Sequence, residues 1–169
     1  CSSDLEYTLE TMMVVKTVIT GIGATLIMDL WSFGQKYLLK LPPLNYALVG
    51  RWIAWLFRGK LCHNTIASTP ALRGESVIGW VFHYLTGAIF AFVPLALNGT
   101  VWLNEPTLTA GLLAVVLTLF APFLILQPAL GFGVAASRTS RPWLARLLSV
   151  LTHLAWGCGL YIAAMVSRA

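Results

Sequence analysis

The chain has 169 residues, 58% of them hydrophobic and only 10% charged, with a mean hydropathy of +0.79. A water-soluble domain carries about 25% charged residues to cover its surface, so this composition argues against a soluble globular fold and for an all-α integral membrane protein. The net charge of +5 does not call for nucleic acid, because the cations fall in loops between apolar runs. The three cysteines, Cys1, Cys62 and Cys158, form no CxxC and define neither a disulfide framework nor a zinc site. Cys158, inside an apolar run, reads as a packing residue.

The chain opens on CSSDLEYTLE, with three acids and no basic n-region, which excludes a signal peptide. A Cys followed by small residues also begins a mature lipoprotein, but a polytopic segment starting a dozen residues later argues against that. Residues 1–12 are expected to be non-native or disordered, with the natural start at Met12 or Met13. Residues 13–169 then form a single transmembrane domain.

Four apolar runs follow, at about 13–35, 76–98, 108–132 and 143–166. A hydrocarbon core of about 30 Å needs about 20 helical residues, and unpaired backbone is not tolerated in lipid, so all four read as transmembrane helices. The first loop carries Lys36, Lys40, Arg51, Arg58, Lys60 and Arg73, and the third carries Arg138 and Arg141 with Arg146 one turn on. The second loop, GTVWLNEP, has no cation. The positive-inside rule makes loops one and three cytoplasmic and puts both termini outside. Trp31, Trp80, Trp102 and Trp143 fall near span ends, where an aromatic belt belongs.

Within the first loop, LNYALVGRWIAWLF (44–57) is apolar but too short to span. As a helix over about 44–58 it puts Ala47, Arg51, Ala54 and Arg58 on one wedge, with Leu48, Val49, Trp52, Trp55 and Leu56 opposite. That pattern predicts an amphipathic helix lying in the membrane interface, as a gate, a lipid-binding plate or, more simply, an anchor. Pro42 and Pro43 precede it and Gly59 follows.

Each span carries a polar residue: Asp29, His83, Gln127 and His153. A mid-span carboxylate costs roughly 2.5–3.5 kcal/mol on insertion scales and ordinarily faces the bundle interior or water. Counted from the nearest cytoplasmic charges at 1.5 Å per residue, all four lie about 10–16 Å deep. Asp29 continues the row Gly21–Thr25, His83 lies on Gly79–Gly87–Ala91, and His153 on Ser149–Gly157. Small-xxx-small rows mark close helix approach, which points these side chains inward. In the third span Pro122 and Pro128 each remove a backbone donor.

An intramembrane centre of Asp29, His83, Gln127 and His153 admits several chemistries. It can relay protons, hold a metal through Asp29, His83 and His153, ligate haem through the two imidazoles, or simply tie helices together. No catalytic residue is assigned, because neither GxSxG nor a phosphate-binding loop is present, and Cys62–His63 is too isolated for a metal site. Arg51, Arg58, Arg138, Arg141 and Arg146 are the candidates for lipid-headgroup contact, although the positive-inside rule alone accounts for the three that open the fourth span.

GIGATLIMDLW, PPLNYALVGRW, RGESVIGWVFHYLTG, QPALGFGVAASRTSRPW and THLAWGCGLY resemble, in order, a family of bacterial membrane proteins known as domain of unknown function 2938. The likeness spans about residues 14–166, and Cys62 stands where a basic residue is expected before His63. The resemblance implies a four-span inner-membrane protein and carries no activity. The leading expectation is a small proton- or ion-coupled transporter. In it Asp29, His83 and His153 exchange protons, Gln127 orients them, and a homodimer thickens the wall. A membrane scaffold or assembly factor is the alternative, and a metal- or haem-binding protein or enzyme the third. Cofactor and protein partners other than the bilayer stay open.

Overall fold

The first apolar stretch contains no proline to interrupt it, and the computed structural model, which describes residues 2–168, accordingly carries one helix from end to end of it. This is α1 (Ser2–Leu39), about 57 Å long at 1.5 Å per residue. The acidic stretch from Ser2 to Met12 continues this helix, and Cys1 lies outside the described residues. Six residues of irregular chain lead to α2 (Tyr46–Leu56), whose N-cap Asn45 accepts the Ala47 amide.

The second apolar run is interrupted once. It comprises α3 (Glu75–Phe90) and α4 (Phe92–Asn98), because Pro94 has no N–H to offer the Phe90 carbonyl. A short α5 (Val101–Asn104) leads to α6 (Leu108–Thr118). Beyond it the two prolines loosen the helix into a wide π-type turn over Ala121–Leu126, followed by α7 (Gln127–Ala129). The fourth run is the single helix α8 (Pro142–Arg168), with proline at its first position, where no N–H is needed.

Four segments are long and apolar enough to cross a membrane: Asp4–Leu39, Glu75–Asn98, Leu108–Ala129 and Pro142–Arg168. The first is longer than expected, and the third ends at Ala129 instead of running on to Phe132. No strand occurs among the described residues.

Small residues set the packing. A Cβ on Gly21 would lie 2.7 Å from the Ala88 Cα and the Gly87 carbonyl, so α1 and α3 touch backbone to backbone. Gly159 meets Ala24 at 2.9 Å, which brings α8 against α1. Gly111 and Gly157 do the same for α6 and α8, with a Cβ on Gly111 falling 2.5 Å from the Gly157 carbonyl. The core so formed is half alanine, filled out by Trp102, Leu103, Val115, Trp156 and Leu160, while Leu30, Ile89, Phe120 and Ile125 remain exposed on the outside. Soluble proteins rarely show apolar patches of that extent; a lipid-facing wall does. Of the four tryptophans placed in an aromatic belt, Trp31, Trp80 and Trp143 are exposed. Trp102, only 1% exposed, is instead a core residue, because α5 folds back under the bundle.

The first loop packs on the bundle: α2 runs antiparallel along the first half of α3. Gly50 crosses at Glu75 and Gly79 crosses at Tyr46, each so closely that a Cβ would collide with the opposing carbonyl. Tyr46 consequently stacks on His83, ring centroids 4.2 Å apart, which is eight residues or about 12 Å along α3 from Glu75. The segment 40–46 therefore turns back along the bundle to the level of His83, and α2 runs out again beside α3, a re-entrant path relative to the helices. Glycine on both helices gives the physical reason: at the crossing neither Gly50 nor Gly79 carries a side chain, so the two backbones touch.

Beyond α2 the chain is strapped down. Arg51 pairs bidentately with Glu75, Nε to Oε2 and Nη2 to Oε1 both at 2.8 Å, while Nη1 donates to the carbonyls of Ile66, Ala67 and Thr69. Trp52 and Trp55 donate their indole N–H to Leu61 and Pro70 carbonyls. The amides of His63 and Ile66 donate to Ala129 and Leu130, fastening this strap over the end of the third span, where only Gly131 leaves room for the Asn64 carbonyl.

Candidate functional site

Asp29 projects from α1 toward α3, where the Gly21–Thr25 and Gly87–Ala88 crossing holds the two helices close. It is 6% exposed. Its Oδ1 lies 2.9 Å from His83 Nε2, and its Oδ2 accepts the Tyr84 hydroxyl at 2.8 Å. This buried carboxyl group, of a kind rare in membrane interiors, is thus partnered on both oxygens. Behind it an aromatic cluster fixes His83: Tyr46 stacks on the ring and Trp80 meets it edge-on at 5.8 Å.

His153, on α8, approaches from the other side. Its Nδ1 lies 2.9 Å from the Ser149 carbonyl. A carbonyl can only accept, so Nδ1 carries the hydrogen, and in the neutral form of the ring the lone pair is at Nε2. Gln127 donates from Nε2 to the Ser149 hydroxyl at 3.3 Å, and its buried Oε1 has no partner. Ser149 thus links Gln127 to His153, while neither Gln127 nor His153 bonds the Asp29–His83 pair. The four expected residues form two adjacent polar groups rather than one constellation.

Between these groups lies a cavity of about 310 Å³. His83 and His153 both line it, with Tyr46, Trp52, Phe82 and Trp156 among its walls. Two irregular stretches bound it: the re-entrant segment contributes Leu44, and the π-type turn contributes Ala121, Pro122, Ile125 and Leu126. Leu44 and Ile125 are 47% and 62% exposed, so the cavity reaches the lipid-facing surface between α2 and the third span. A second, apolar groove of about 380 Å³ adjoins it and shares Phe90, Thr118, Ala121 and Ile125.

The metal expectation finds no geometry. No group of three His, Cys, Asp or Glu side chains converges among the described residues, because Asp29 reaches His83 but not His153. For haem, His83 has already committed Nε2 to Asp29, leaving only Nδ1, with Tyr46 stacked on the ring.

Of the five arginines expected at lipid headgroups, Arg51 is spent on Glu75 and the strap, and that carboxylate holds its guanidinium charged, above even its ordinary range. Arg146 donates to the Ala135 carbonyl at 2.7 Å, supporting a turn in which Ala135 and Ala136 both have positive φ. Arg58 lies over the Trp55 ring at 5.2 Å, and Arg58, Arg138 and Arg141 are exposed.

A family model described as "Protein of unknown function (DUF2938)" matches residues 18–167. The chain belongs to this family. No curated protein and no solved structure matches it. Membership in DUF2938 therefore brings no chemistry with it, and function must be argued from the cavity and its two imidazoles. Tyr46, Tyr84 and Ser149 complete the DUF2938 site. The loop position of Tyr46 and the immediate adjacency of Tyr84 to His83 gave no periodic signal, and Ser149 stood out only as a small residue on the His153 row.

Proposed function

We propose that this DUF2938 protein is a membrane-embedded binding protein that admits a lipid-soluble molecule sideways from the bilayer into the cavity between α2 and the third span. One observation carries the reading: His83 and His153, from different helices, line a single largely apolar cavity that two irregular backbone segments hold open. Irregular backbone at membrane depth is tolerated where it lines a cavity, and π-type turns occur frequently at functional sites. The cation-rich loops support an inner-membrane orientation with loops one and three cytoplasmic and both termini periplasmic.

Carbene labelling tests the reading. A small apolar phenyl-diazirine in proteoliposomes labels Met28, Phe82 and Trp156, and Ala121→Trp, which fills the cavity, abolishes that labelling while lipid-facing Leu30 stays labelled. Labelling confined to lipid-facing residues in both proteins contradicts it.

Proton- or ion-coupled transport is the second reading, supported by titratable groups on both sides of one cavity. It calls for a homodimer to enclose a path and uses Asp29, His83 and His153 as exchanging groups. Proteoliposome proton flux that persists in Asp29→Asn rejects it. That outcome leaves the scaffold alternative, in which the Asp29–His83 bond only ties α1 to α3.

A further inference from the structure

The cavity has polar atoms but no free charge. None of its lining residues is Lys, Arg, Asp or Glu, and Asp29, just behind His83, already accepts two hydrogen bonds. A phosphate or carboxylate headgroup would find no cation there and an ammonium no free anion, so burial of a charged headgroup is disfavoured. The Thr25 and Thr118 hydroxyls are donated to carbonyls one turn back, Gly21 and Ala114. His153 Nε2 has no protein partner among the described residues and, with Nδ1 carrying the hydrogen, is a hydrogen-bond acceptor in the neutral imidazole. The walls are flat: Tyr46, Trp52, Phe82, Phe90 and Trp156 all face the cavity, the kind of surface that favours stacked or edge-on aromatic rings. The adjoining groove adds Val93, Leu117, Phe120 and Leu124 and no polar residue beyond Thr118. A head compartment whose polar atoms include the His153 acceptor, the Tyr46 and Thr86 hydroxyls and the unpartnered Trp156 indole N–H thus continues into an apolar channel along the outer face of α4 and α6.

Resting on the cavity reading above, we infer that the ligand is a hydroquinone-type lipid. Its uncharged ring lies among the aromatic residues, one ring hydroxyl donates to His153 Nε2, and its hydrocarbon tail runs along the Val93–Leu117–Leu124 groove. Binding alone is inferred; no electron or proton leaves the ligand.

The test uses the full chain in detergent and reads tryptophan fluorescence, since Trp52 and Trp156 line the site. The probes are a decyl-substituted ubiquinol, its O,O-dimethyl ether and the same ring without a tail. The expected result is binding of the decyl hydroquinone about tenfold tighter than its ether, the scale of one buried hydrogen bond, with the difference erased by His153→Phe. Val93→Trp weakens the decyl compound and leaves the tail-less ring unchanged. Equal binding of hydroquinone and ether by the unsubstituted protein overturns the assigned ligand class while the cavity reading stands, and this comparison holds even if a variant fails to fold. An unchanged decyl affinity in a folded Val93→Trp protein overturns the tail path. Failure of all three probes to bind, with carbene labelling also absent from the cavity, overturns both readings.

Discussion

Asp29 is the residue whose partners define the centre. Removing its side chain leaves the His83 and Tyr84 donors facing each other inside the bundle, and a buried unsatisfied group costs about 1–3 kcal/mol. Asp29→Ala is therefore expected to destabilise by that amount in detergent unfolding. Asp29→Asn costs less, because the amide oxygen still accepts from Tyr84 and the amide nitrogen donates to His83 once the imidazole moves its hydrogen to Nδ1. At the strap, burial, with Lys60 adding to it, pulls the His63 pKa below the ordinary histidine value. Thr69 donates to the Thr65 carbonyl and so accepts from His63 Nδ1, leaving Nε2 buried and unprotonated. A histidine with a depressed folded-state pKa binds fewer protons folded than unfolded, so its contribution is whole above about pH 6.5. That contribution falls as pH drops from there through the lowered value. Unfolding measured from pH 7.5 to 5 should show the loss, and His63→Asn should flatten the curve over that interval. The Asp29–His83 meeting was legible because both lie on small-residue rows that the helix period points inward. Tyr84 was not, since nothing in a period of 3.6 says which neighbour of His83 will bridge to the same carboxylate.

At the level of elements, glycine decides where α2 goes. An apolar stretch of 11 residues satisfies the interface as well as a protein groove, and its hydrophobic pattern is the same in both. The discriminating signal is the pair Gly50 and Gly79, which is legible only when the two helices are considered together. Arg51 and Glu75 formed a second such signal, opposite charges flanking the same crossing. Gly79→Ala forces a Cβ into the Tyr46 carbonyl and should destabilise by about 1–3 kcal/mol, as overpacking does. Gly34→Ala in α1, where a Cβ meets nothing within 4 Å, should stabilise by up to about 1 kcal/mol through helix propensity. Thermal unfolding of the two variants side by side checks the contrast. The π-type turn belongs to this scale too: Pro122 and Pro128 announced a break, but which carbonyls would be freed and where the widened turn would open depended on the neighbours.

For the whole molecule, the count of spans and their approximate limits could be read from apolar length alone, since lipid demands a helix wherever about 20 apolar residues run together. The cavity could not, because it exists only between elements: the re-entrant 40–46 segment on one side, the π-type turn on the other, and α8 with His153 closing it. The protein is thus a four-helix wall with an opening between α2 and the third span, and everything proposed for it depends on the chain between α1 and α2 returning to the level of His83. A nitroxide at Leu44, in a chain with its cysteines replaced and reconstituted in bilayers, measures that depth through its relative collision rates with oxygen and with a water-soluble nickel chelate. High oxygen and low nickel accessibility are expected at Leu44, matching a nitroxide at Phe82 and unlike one at exposed Arg58. Nickel accessibility at Leu44 equal to that at Arg58 would contradict it, placing the segment at the membrane surface and leaving the two imidazoles without a cavity between them.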